Sequence, residues 1–196
     1  MQKKVLVFLA EGFEEVEAIT PIDYLRRAGI DVTSAAIGVS IAVTGSHGIK
    51  ISADSILSQL KGDGLLDASA WDAVIVPGGL PGADNIAASN EACSFLLEMS
   101  KAGKFICAIC AAPARVLAPL NLLKGRIFTC FPGEEAKVLA PGSNNTGAVW
   151  KEDRVIVDRN IVTSRGAGTA GEFSSAIIDQ LLGEGEGKKI ADRVLL

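Results

Sequence analysis

Short apolar segments rich in β-branched residues alternate along the chain with longer segments in which apolar residues recur every three to four positions. The short segments predict strands at residues 4–9, 31–37, 73–76, 105–107, 126–129, 154–157 and 161–164. Several of them are continuously apolar, which is typical of strands covered on both faces. The longer segments predict helices at residues 14–28, 90–102 and 169–182, each followed by a glycine that favours helix termination. This alternation predicts an α/β fold with a mostly parallel sheet and helices on both faces.

Two places in this series look like antiparallel hairpins. Residues 41–44 and 49–52 flank a four-residue turn that contains two glycines, which predicts a hairpin inserted into the α/β series. Residues 148–151 and 154–157 flank Glu152-Asp153, which predicts a second tight hairpin.

The rest of the chain contains few interruptions. Residues 55–69 are polar and contain glycine, which predicts a connecting loop or an irregular helix. Pro21 lies inside the first helical pattern and predicts a kink or a restarted helix there. Since the sequence contains no linker, internal repeat or low-complexity tract, we expect a single domain over residues 1–196.

Composition and charge exclude several classes of protein. The chain has 19 Lys+Arg against 23 Asp+Glu, a formal net charge of −4, and no Lys/Arg-rich run that would mark a nucleic-acid or membrane surface. No apolar stretch approaches the roughly 20 residues that a membrane span requires. The first apolar run has six residues and is followed at once by acidic residues, unlike a secretory signal. With four cysteines and no such signal, a reducing compartment is expected, and the cytoplasm is the default.

The segment from residue 104 to 118 contains the most informative cysteine. Cys110 lies where a predicted strand runs directly into a predicted helix, next to the small residues Ala111 and Ala112. A nucleophile on such a strand-to-helix turn is exposed at the carboxyl edge of the sheet. The amino terminus of a helix favours thiolate over thiol, so we expect a lowered pKa and a reactive sulfur. The alternative is that Cys110 is a small buried apolar residue, the usual fate of a free cysteine.

The remaining cysteines favour packing rather than chemistry. Cys107 and Cys110 form a C-x-x-C pattern, but Cys107 continues an apolar strand and should point into the sheet, which argues against a redox dithiol. Zinc is disfavoured because the chain has one histidine, and Cys93 and Cys130 have no paired ligand spacing. We therefore expect no metal and no other cofactor.

An acidic segment follows the first predicted strand and opens the first helix. Glu11, Glu14 and Glu15 fit a solvated first turn that the helix dipole favours. Glu17 lies further into the helix, and in a doubly wound sheet this loop meets the same edge as Cys110. If Glu17 is buried, its pKa rises and it is held protonated, able to donate a hydrogen bond to a thiolate. From local sequence alone, a surface glutamate is the simpler alternative.

Two glycine-rich segments follow predicted strands at the same edge. The Pro-Gly-Gly at residues 77–79 lacks the further glycines or the Gly-Lys-Ser/Thr of a nucleotide-binding loop. The sequence therefore favours an oxyanion site built from the Gly79 and Ala111 N–H groups over a phosphate site. In residues 163–173, Arg165 is a candidate anion or subunit contact. The simpler interpretation is a structural turn with Thr169 as helix N-cap.

Taken together, these motifs resemble the DJ-1/ThiJ/PfpI superfamily over essentially the whole chain. The resemblance rests on Ala-Ile-Cys-Ala-Ala-Pro at residues 108–113, Pro-Gly-Gly at 77–79, the acidic segment 10–17 and Thr-Ser-Arg-Gly-Ala-Gly-Thr at 163–169. It is strongest for the branch that holds the parkinsonism-associated deglycase and bacterial YajL-like proteins. The resemblance implies a flavodoxin-like three-layer sandwich that usually forms homodimers. It also implies a reactive, oxidation-prone Cys110, a protonated Glu17 that contacts it, and oxyanion donors at Gly79 and Ala111.

The function implied by the resemblance is a cofactor-free stress-response activity that depends on Cys110. One hypothesis is a glyoxalase or deglycase acting on reactive α-oxoaldehydes or on the amines and thiols they modify. The alternative is a non-enzymatic oxidative-stress sensor or redox-regulated chaperone, in which Cys110 is oxidised to the sulfinic acid. A protease is rejected because the protease branch has a histidine directly after the cysteine, where this chain has Ala111.

Two further positions carry expectations from the resemblance. Phe131 stands where the human-type branch has a histidine, so a Cys–His mechanism is in doubt and Glu17 is left as the obvious acid/base group. His47, the sole histidine, lies in the first predicted hairpin, where relatives have arginine and where the arm packs across the dimer. His47 is therefore either a contact to the partner subunit's site or an ordinary exposed turn residue.

Overall fold

The computed structural model, which describes residues 2–196, is built around a central sheet. The strands are β1 (Lys4–Ala10), β2 (Asp31–Ile37), β3 (Ala42–Thr44), β4 (Lys50–Ser52), β5 (Ser55–Ile56), β6 (Ala73–Val76), β7 (Phe105–Ile109), β8 (Ile127–Phe128), β9 (Val149–Trp150), β10 (Val155–Asp158) and β11 (Ile161–Ser164). Seven of them form the central sheet in the order β10-β11-β7-β6-β1-β2-β5. Every pairing in this sheet is parallel except that of β10 with β11. The predicted mostly parallel sheet is confirmed.

Helices cover both faces of the sheet, as the alternating pattern predicts. They are α1 (Glu15–Arg27), α2 (Leu57–Gly62), α3 (Gly82–Ala88), α4 (Asn90–Lys101), α5 (Glu135–Val138), α6 (Ala170–Leu182) and α7 (Glu186–Val194), with a π-helical segment at Pro113–Leu117 and short 3₁₀ turns at Ala68–Ala70 and Ala167–Thr169. Among residues 2–196, no helix has both the length and the apolar character needed to cross a bilayer.

The alternation of side chains along the strands divides the core into two layers. In β1, Leu6, Phe8 and Ala10 face the layer formed with α2, α3 and α4. The intervening residues of β1 face the layer formed with α1, α6 and α7. Phe8 contacts Phe95 of α4 with ring centroids 6.2 Å apart in a tilted arrangement. Burial on both sides explains why β1 is continuously apolar, since neither face of the strand meets water.

One predicted hairpin is present and the other is wrong. Strands β3 and β4 pair antiparallel, as expected for residues 41–44 and 49–52. The hairpin predicted around Glu152-Asp153 does not form, because the backbone N–H groups of Val149 and Lys151 donate to Arg126 and Phe128 instead. This gives a parallel pair of β9 with β8, outside the central sheet. Strand β10 pairs with β11 through a turn at Arg159, which has a positive φ of 55°.

Two other expectations are met only in part. The first helix runs without a restart from Glu15 to Arg27 although Pro21 lies inside it. The segment 55–69 is mostly irregular, but it begins with the short strand β5, which joins the sheet edge beside β2, and continues into α2.

The parallel order of β1, β6, β7 and β11 brings the segments that follow them to one edge. These segments begin at Glu11, Pro77, Cys110 and Arg165 respectively. Since ligands of open α/β sheets bind outside the carboxyl ends of the strands, this edge is where a site is expected.

Candidate active site

Cys110 occupies a strained turn directly after β7. Its φ is 64°, a left-handed conformation that costs a non-glycine residue about 1–3 kcal/mol. The turn is fixed on both sides, because the Cys110 N–H donates to the Ser164 carbonyl at 3.0 Å and the Cys110 carbonyl accepts from the Phe131 N–H at 2.8 Å. The residue is half-buried, so the turn holds it in place while part of it stays accessible to solvent.

Glu17 points from α1 into the same site and is 1% exposed. Its Oε2 accepts a hydrogen bond from the Gly78 N–H at 2.9 Å, and its carboxyl group lies close enough to the Cys110 side chain for each group to shift the pKa of the other. Burial raises the pKa of Glu17 from 4.5 to about 7, with a further increase from the charge of Glu14. The alternative of a surface glutamate is therefore wrong, since the carboxyl group lies beneath the Gly78 loop.

Gly78 is required by this close approach, and sequence reasoning missed it. A Cβ at residue 78 would lie 2.7 Å from the Cys110 Cβ and 2.7 Å from the Glu17 Oε2. Real side chains do not approach so closely, so any substitution forces the acid and the thiol apart. The Pro-Gly-Gly sequence at residues 77–79 is the available signal, but from sequence only Gly79 is assigned a function, that of oxyanion donor.

The predicted oxyanion donors face the sulfur. The backbone N–H groups of Gly79 and Ala111 lie close enough to the Cys110 side chain to favour its charged form. Gly79 reaches this position with a φ of 85°, which glycine adopts without strain. The site thus brings Cys110, Glu17, Gly79 and Ala111 together.

The expectation of a low-pKa thiol set by a helix dipole is wrong for the free site. Burial raises the pKa of the Cys110 thiol well above its ordinary value, and the carboxylate of Glu17 raises it further. The N–H groups of Gly79 and Ala111 oppose this increase without overcoming it. The predicted helix is also replaced by the five-residue π-helical segment Pro113–Leu117, which is too short to supply a large dipole.

Above about pH 7, the carboxyl group of Glu17 and the thiol of Cys110 together hold one proton. The N–H groups of Gly78 and Ala167 favour negative charge on the carboxyl group of Glu17. The N–H groups of Gly79 and Ala111 favour it on the sulfur. Since two charges this close repel strongly, the first proton lost belongs to the pair rather than to either residue. The form with the proton on Glu17 is the one that presents a thiolate.

The other three cysteines are free thiols away from this chemistry. Cys107 and Cys130 are fully buried, and Cys107 packs in the layer of α1 and α6. Cys93, in α4, is half-buried and its sulfur lies 3.3 Å from the Ala87 carbonyl oxygen.

Glu15 is a buried residue that the sequence placed wrongly in a solvated first turn. Its carboxylate accepts from the His47 N–H at 2.8 Å, and its other oxygen lies 2.9 Å from the His47 Nδ1. Burial acts to raise the pKa of Glu15, but these bonds and one from the Ile49 N–H outweigh it and lower the pKa to about 2. The pair fastens the β3–β4 arm to the start of α1.

His47 itself is largely solvent-exposed, with 72% of its side chain accessible. Glu15 raises its pKa, chiefly through the side-chain hydrogen bond. Its ligand atom and those of Glu14 and Glu15 lie within 4.8 Å of one another, a spacing that a metal ion can bridge. Glu14 already accepts from the Glu17 N–H at 2.7 Å as the N-cap of α1, and Glu15 holds the arm, so hydrogen bonding accounts for the cluster and we assign no metal to it.

The segment after β11 forms a structural turn as predicted, but the predicted cap by the Thr169 side chain is wrong. Thr169 does not cap α6 with its side chain; its hydroxyl accepts from the Gly166 N–H at 3.1 Å and so closes the turn on itself. Arg165 donates to the Glu152 carbonyl at 3.0 Å. A methyl group built at Gly166 would lie 3.8 Å from Glu17 Oε1, so this turn borders the site.

The fold and the paired thiol and acid define a flavodoxin-like α/β protein with a cysteine at its nucleophile turn. The chain belongs to the DJ-1/PfpI family, whose model matches residues 3–180. It is 37% identical over 193 residues to DJ-1 homolog B of Arabidopsis thaliana, covering 98% of this chain and 41% of that protein. The chain therefore spans less than half the length of this plant relative.

Two animal relatives match over nearly their whole length. The Parkinson disease protein 7 homolog of Danio rerio is 37% identical over 181 residues, covering 92% of this chain and 90% of that protein. The crystal structure of Drosophila melanogaster DJ-1beta superposes with a TM-score of 0.88 at 37% identity, covering 100% of this chain and 99% of the other. The resemblance stated from the motifs is confirmed at the level of family and fold.

Proposed function

We propose that the protein is a cofactor-free enzyme that converts reactive α-oxoaldehydes, free or as early adducts with amines and thiols, into hydroxy acids. The observation that supports this most strongly is the pairing of half-buried Cys110 with buried Glu17 beside the N–H groups of Gly79 and Ala111. Such a pair supplies a nucleophile, a proton donor and an oxyanion site within a few ångströms of one atom. Membership of the DJ-1/PfpI family is consistent with a role in stress response.

In the reactive form the proton lies on Glu17 and the charge on the Cys110 sulfur. The sulfur attacks the aldehyde carbon, a C–S bond forms, and the carbonyl electron pair moves onto the oxygen. That oxygen is stabilised by the Gly79 and Ala111 N–H groups and then takes the proton from Glu17, which gives a neutral hemithioacetal.

The remaining steps need only the same groups and one water molecule. The Glu17 carboxylate removes the proton from the former aldehyde carbon and delivers it to the adjacent carbonyl carbon, while the hydroxyl proton of the hemithioacetal passes to the oxygen on that adjacent carbon, which leaves a thioester. The first carbon is thereby oxidised and the second reduced within one substrate, so no external oxidant is needed. Water then cleaves the resulting thioester into a 2-hydroxy acid and the free thiol of Cys110.

Phe131 lies beside the site but has no group that can transfer a proton. Its N–H holds the Cys110 carbonyl, and its ring is half exposed beside the site, so it contributes a wall and no proton. Glu17 therefore carries the proton transfers.

The test is formation of lactate from methylglyoxal by the purified protein, with Cys110→Ser and Glu17→Gln as variants. We expect both to lose activity, while Cys93→Ser, which removes a half-buried thiol elsewhere, retains it. Unchanged turnover in Cys110→Ser would contradict the proposal.

A second candidate function is a redox sensor, favoured by the groups that surround the Cys110 sulfur. Cys110 and Cys93 are both half-buried, but Cys110 lies beside an acid and two N–H groups and Cys93 does not, while Cys107 and Cys130 are fully buried. Two equivalents of hydrogen peroxide would convert the thiol to a sulfinic acid, releasing two water molecules. Intact-mass measurement after mild peroxide should show two added oxygens on Cys110 alone; equal oxidation of Cys93 would contradict this function.

We also propose a homodimer, for which the surface beside the arm offers support. The Ser46 N–H bonds the Phe13 carbonyl, so the β3–β4 arm and the start of α1 lie on one side. That side exposes the apolar residues Val16, Ile19 and Ile49. Light scattering should give twice the monomer mass, and Ile19→Glu should reduce it; a monomeric mass for the wild type would refute the proposal.

A further inference from the structure

An open cleft of about 410 Å³ lies beside the site, on the side of the turn that follows β11. Its walls include Phe131, Gly166 and Ala167, and two arginines, Arg154 and Arg165, line it without any acidic residue. The cleft is therefore large enough for a small molecule and offers it two cationic groups.

The cleft shares its inner wall with the Cys110–Glu17 pair. A methyl group built at Gly166 would lie 3.8 Å from Glu17 Oε1 and 3.6 Å from the Phe131 ring, and the neighbouring Ala167 N–H favours negative charge on the Glu17 carboxyl group. Phe131 in turn holds the Cys110 carbonyl. A molecule bound in the cleft would thus be separated from Cys110 and Glu17 only by Phe131 and Gly166.

Arg165 is held in place but weakly neutralised. Its side chain is 24% exposed, and its Nη1 donates to the neutral carbonyl of Glu152 at 3.0 Å. The nearest carboxylate oxygen, Glu152 Oε1, is 3.6 Å from Nη2, beyond good hydrogen-bonding distance, and the Glu152 side chain is 75% exposed. An exposed partner at that distance contributes little and is readily displaced by a better-placed anion.

Arg154 has a different role at the rim. Its Nε donates to Glu172 at 2.8 Å and its Nη2 donates to the Gly168 carbonyl at 2.7 Å. Because Glu172 already pairs with it, Arg154 adds less to the field in the cleft than Arg165 does.

We propose that this cleft is a carboxylate-binding subsite, with Arg165 as its anchor, so that the site prefers oxoaldehydes or adducts that carry a carboxylate group. This inference rests on the proposed function for the identity of the reaction, since the aldehyde end would meet Cys110. A guanidinium is planar and matches a carboxylate with two parallel N–H bonds, which Glu152 does not satisfy at its present distance. Neutral oxoaldehydes would still react but would gain nothing from Arg165.

The experiment compares alkylation of Cys110 by iodoacetate and by iodoacetamide, two reagents of nearly equal size of which only the first is anionic. The ratio of the two rate constants cancels any change in the nucleophilicity of the sulfur. We expect Arg165→Gln to lower the iodoacetate-to-iodoacetamide ratio roughly threefold to tenfold, the range for losing one partly exposed charge contact. Glu152→Gln, which removes the competing carboxylate, should raise the ratio.

Arg159→Gln is the matched control, because it removes the same charge at the opposite end of β11 and should leave the ratio unchanged. An unchanged ratio in both Arg165→Gln and Glu152→Gln would overturn the subsite. If Arg165→Gln fails to fold, the Glu152→Gln result decides, and no increase in the ratio overturns the proposal. Because alkylation needs no turnover, a lowered ratio together with absent lactate formation would refute the proposed reaction while supporting the subsite.

Discussion

Replacing Glu17 with glutamine should remove a large pH-dependent contribution to stability. Burial raises the pKa of Glu17 from 4.5 to about 7, so the folded protein keeps this proton over a range where the unfolded chain has lost it. Since each pH unit is worth about 1.4 kcal/mol, ionising Glu17 in the folded state costs about 3 kcal/mol more than in the unfolded chain. The contribution of protonated Glu17 to the free energy of unfolding is fully present below pH 4.5 and is lost as the pH rises through about 7.

Glutamine keeps the shape of the side chain but does not titrate. The free energy of unfolding of Glu17→Gln, minus that of the wild type, should therefore increase by about 3 kcal/mol between pH 4.5 and 8. Urea titrations at several pH values, under reducing conditions that keep Cys110 unmodified, measure this difference. Glu98→Gln, on the exposed side of α4, controls for loss of a surface carboxylate. A difference that stays constant with pH would refute the assigned burial and protonation of Glu17.

Three further substitutions test a contact of the site and two ion-pair contacts outside it. Gly78→Ala places a methyl group 2.7 Å from the Cys110 Cβ, so we expect about 1–3 kcal/mol of destabilisation in urea titrations and loss of methylglyoxal turnover. Arg115→Gln removes an arginine that makes four hydrogen bonds to two carboxylates, which should cost about 1–3 kcal/mol; an unchanged urea midpoint would contradict this. His47→Ala removes one of the bonds that lower the pKa of Glu15 to about 2. A lowered pKa of Glu15 stabilises the folded state above pH 4.5, and this stabilisation is lost as the pH falls toward 2. The variant should therefore begin to unfold at a higher pH than the wild type in an acid titration followed by circular dichroism.

Local patterns were sufficient for the sheet and for the position of the reactive turn. The apolar runs identified β1, β6 and β7, since strands covered on both faces are apolar almost throughout, and the β-branched residues of β2 and β11 identified those two strands. Because parallel strands end at the same edge of a sheet, the turns at Cys110 and Gly79 could be predicted to lie together from the strand pattern alone. What the pattern did not reveal was the pairing of β8 with β9, since a parallel pair of two-residue strands leaves no periodic signal.

The errors at the site have a common physical cause, which is contact with distant segments. Glu15 looks like a solvated first-turn residue, but the arm that carries His47 folds over it. Glu17 is buried by the Gly78 loop, which lies 61 residues away along the chain. The pKa of Cys110 follows from this burial and from Glu17 rather than from the helix that the local sequence suggests.

The account depends most on Glu17 retaining its proton beside Cys110 near neutral pH. A carbon-13 NMR titration of protein labelled at the glutamate side-chain carboxyl carbons measures this proton directly. We predict one carboxyl resonance with a midpoint near pH 7 that is missing from the Glu17→Gln spectrum. A Glu17 resonance that titrates at or below pH 4.5 would show an ordinary carboxylate and contradict the shared-proton site.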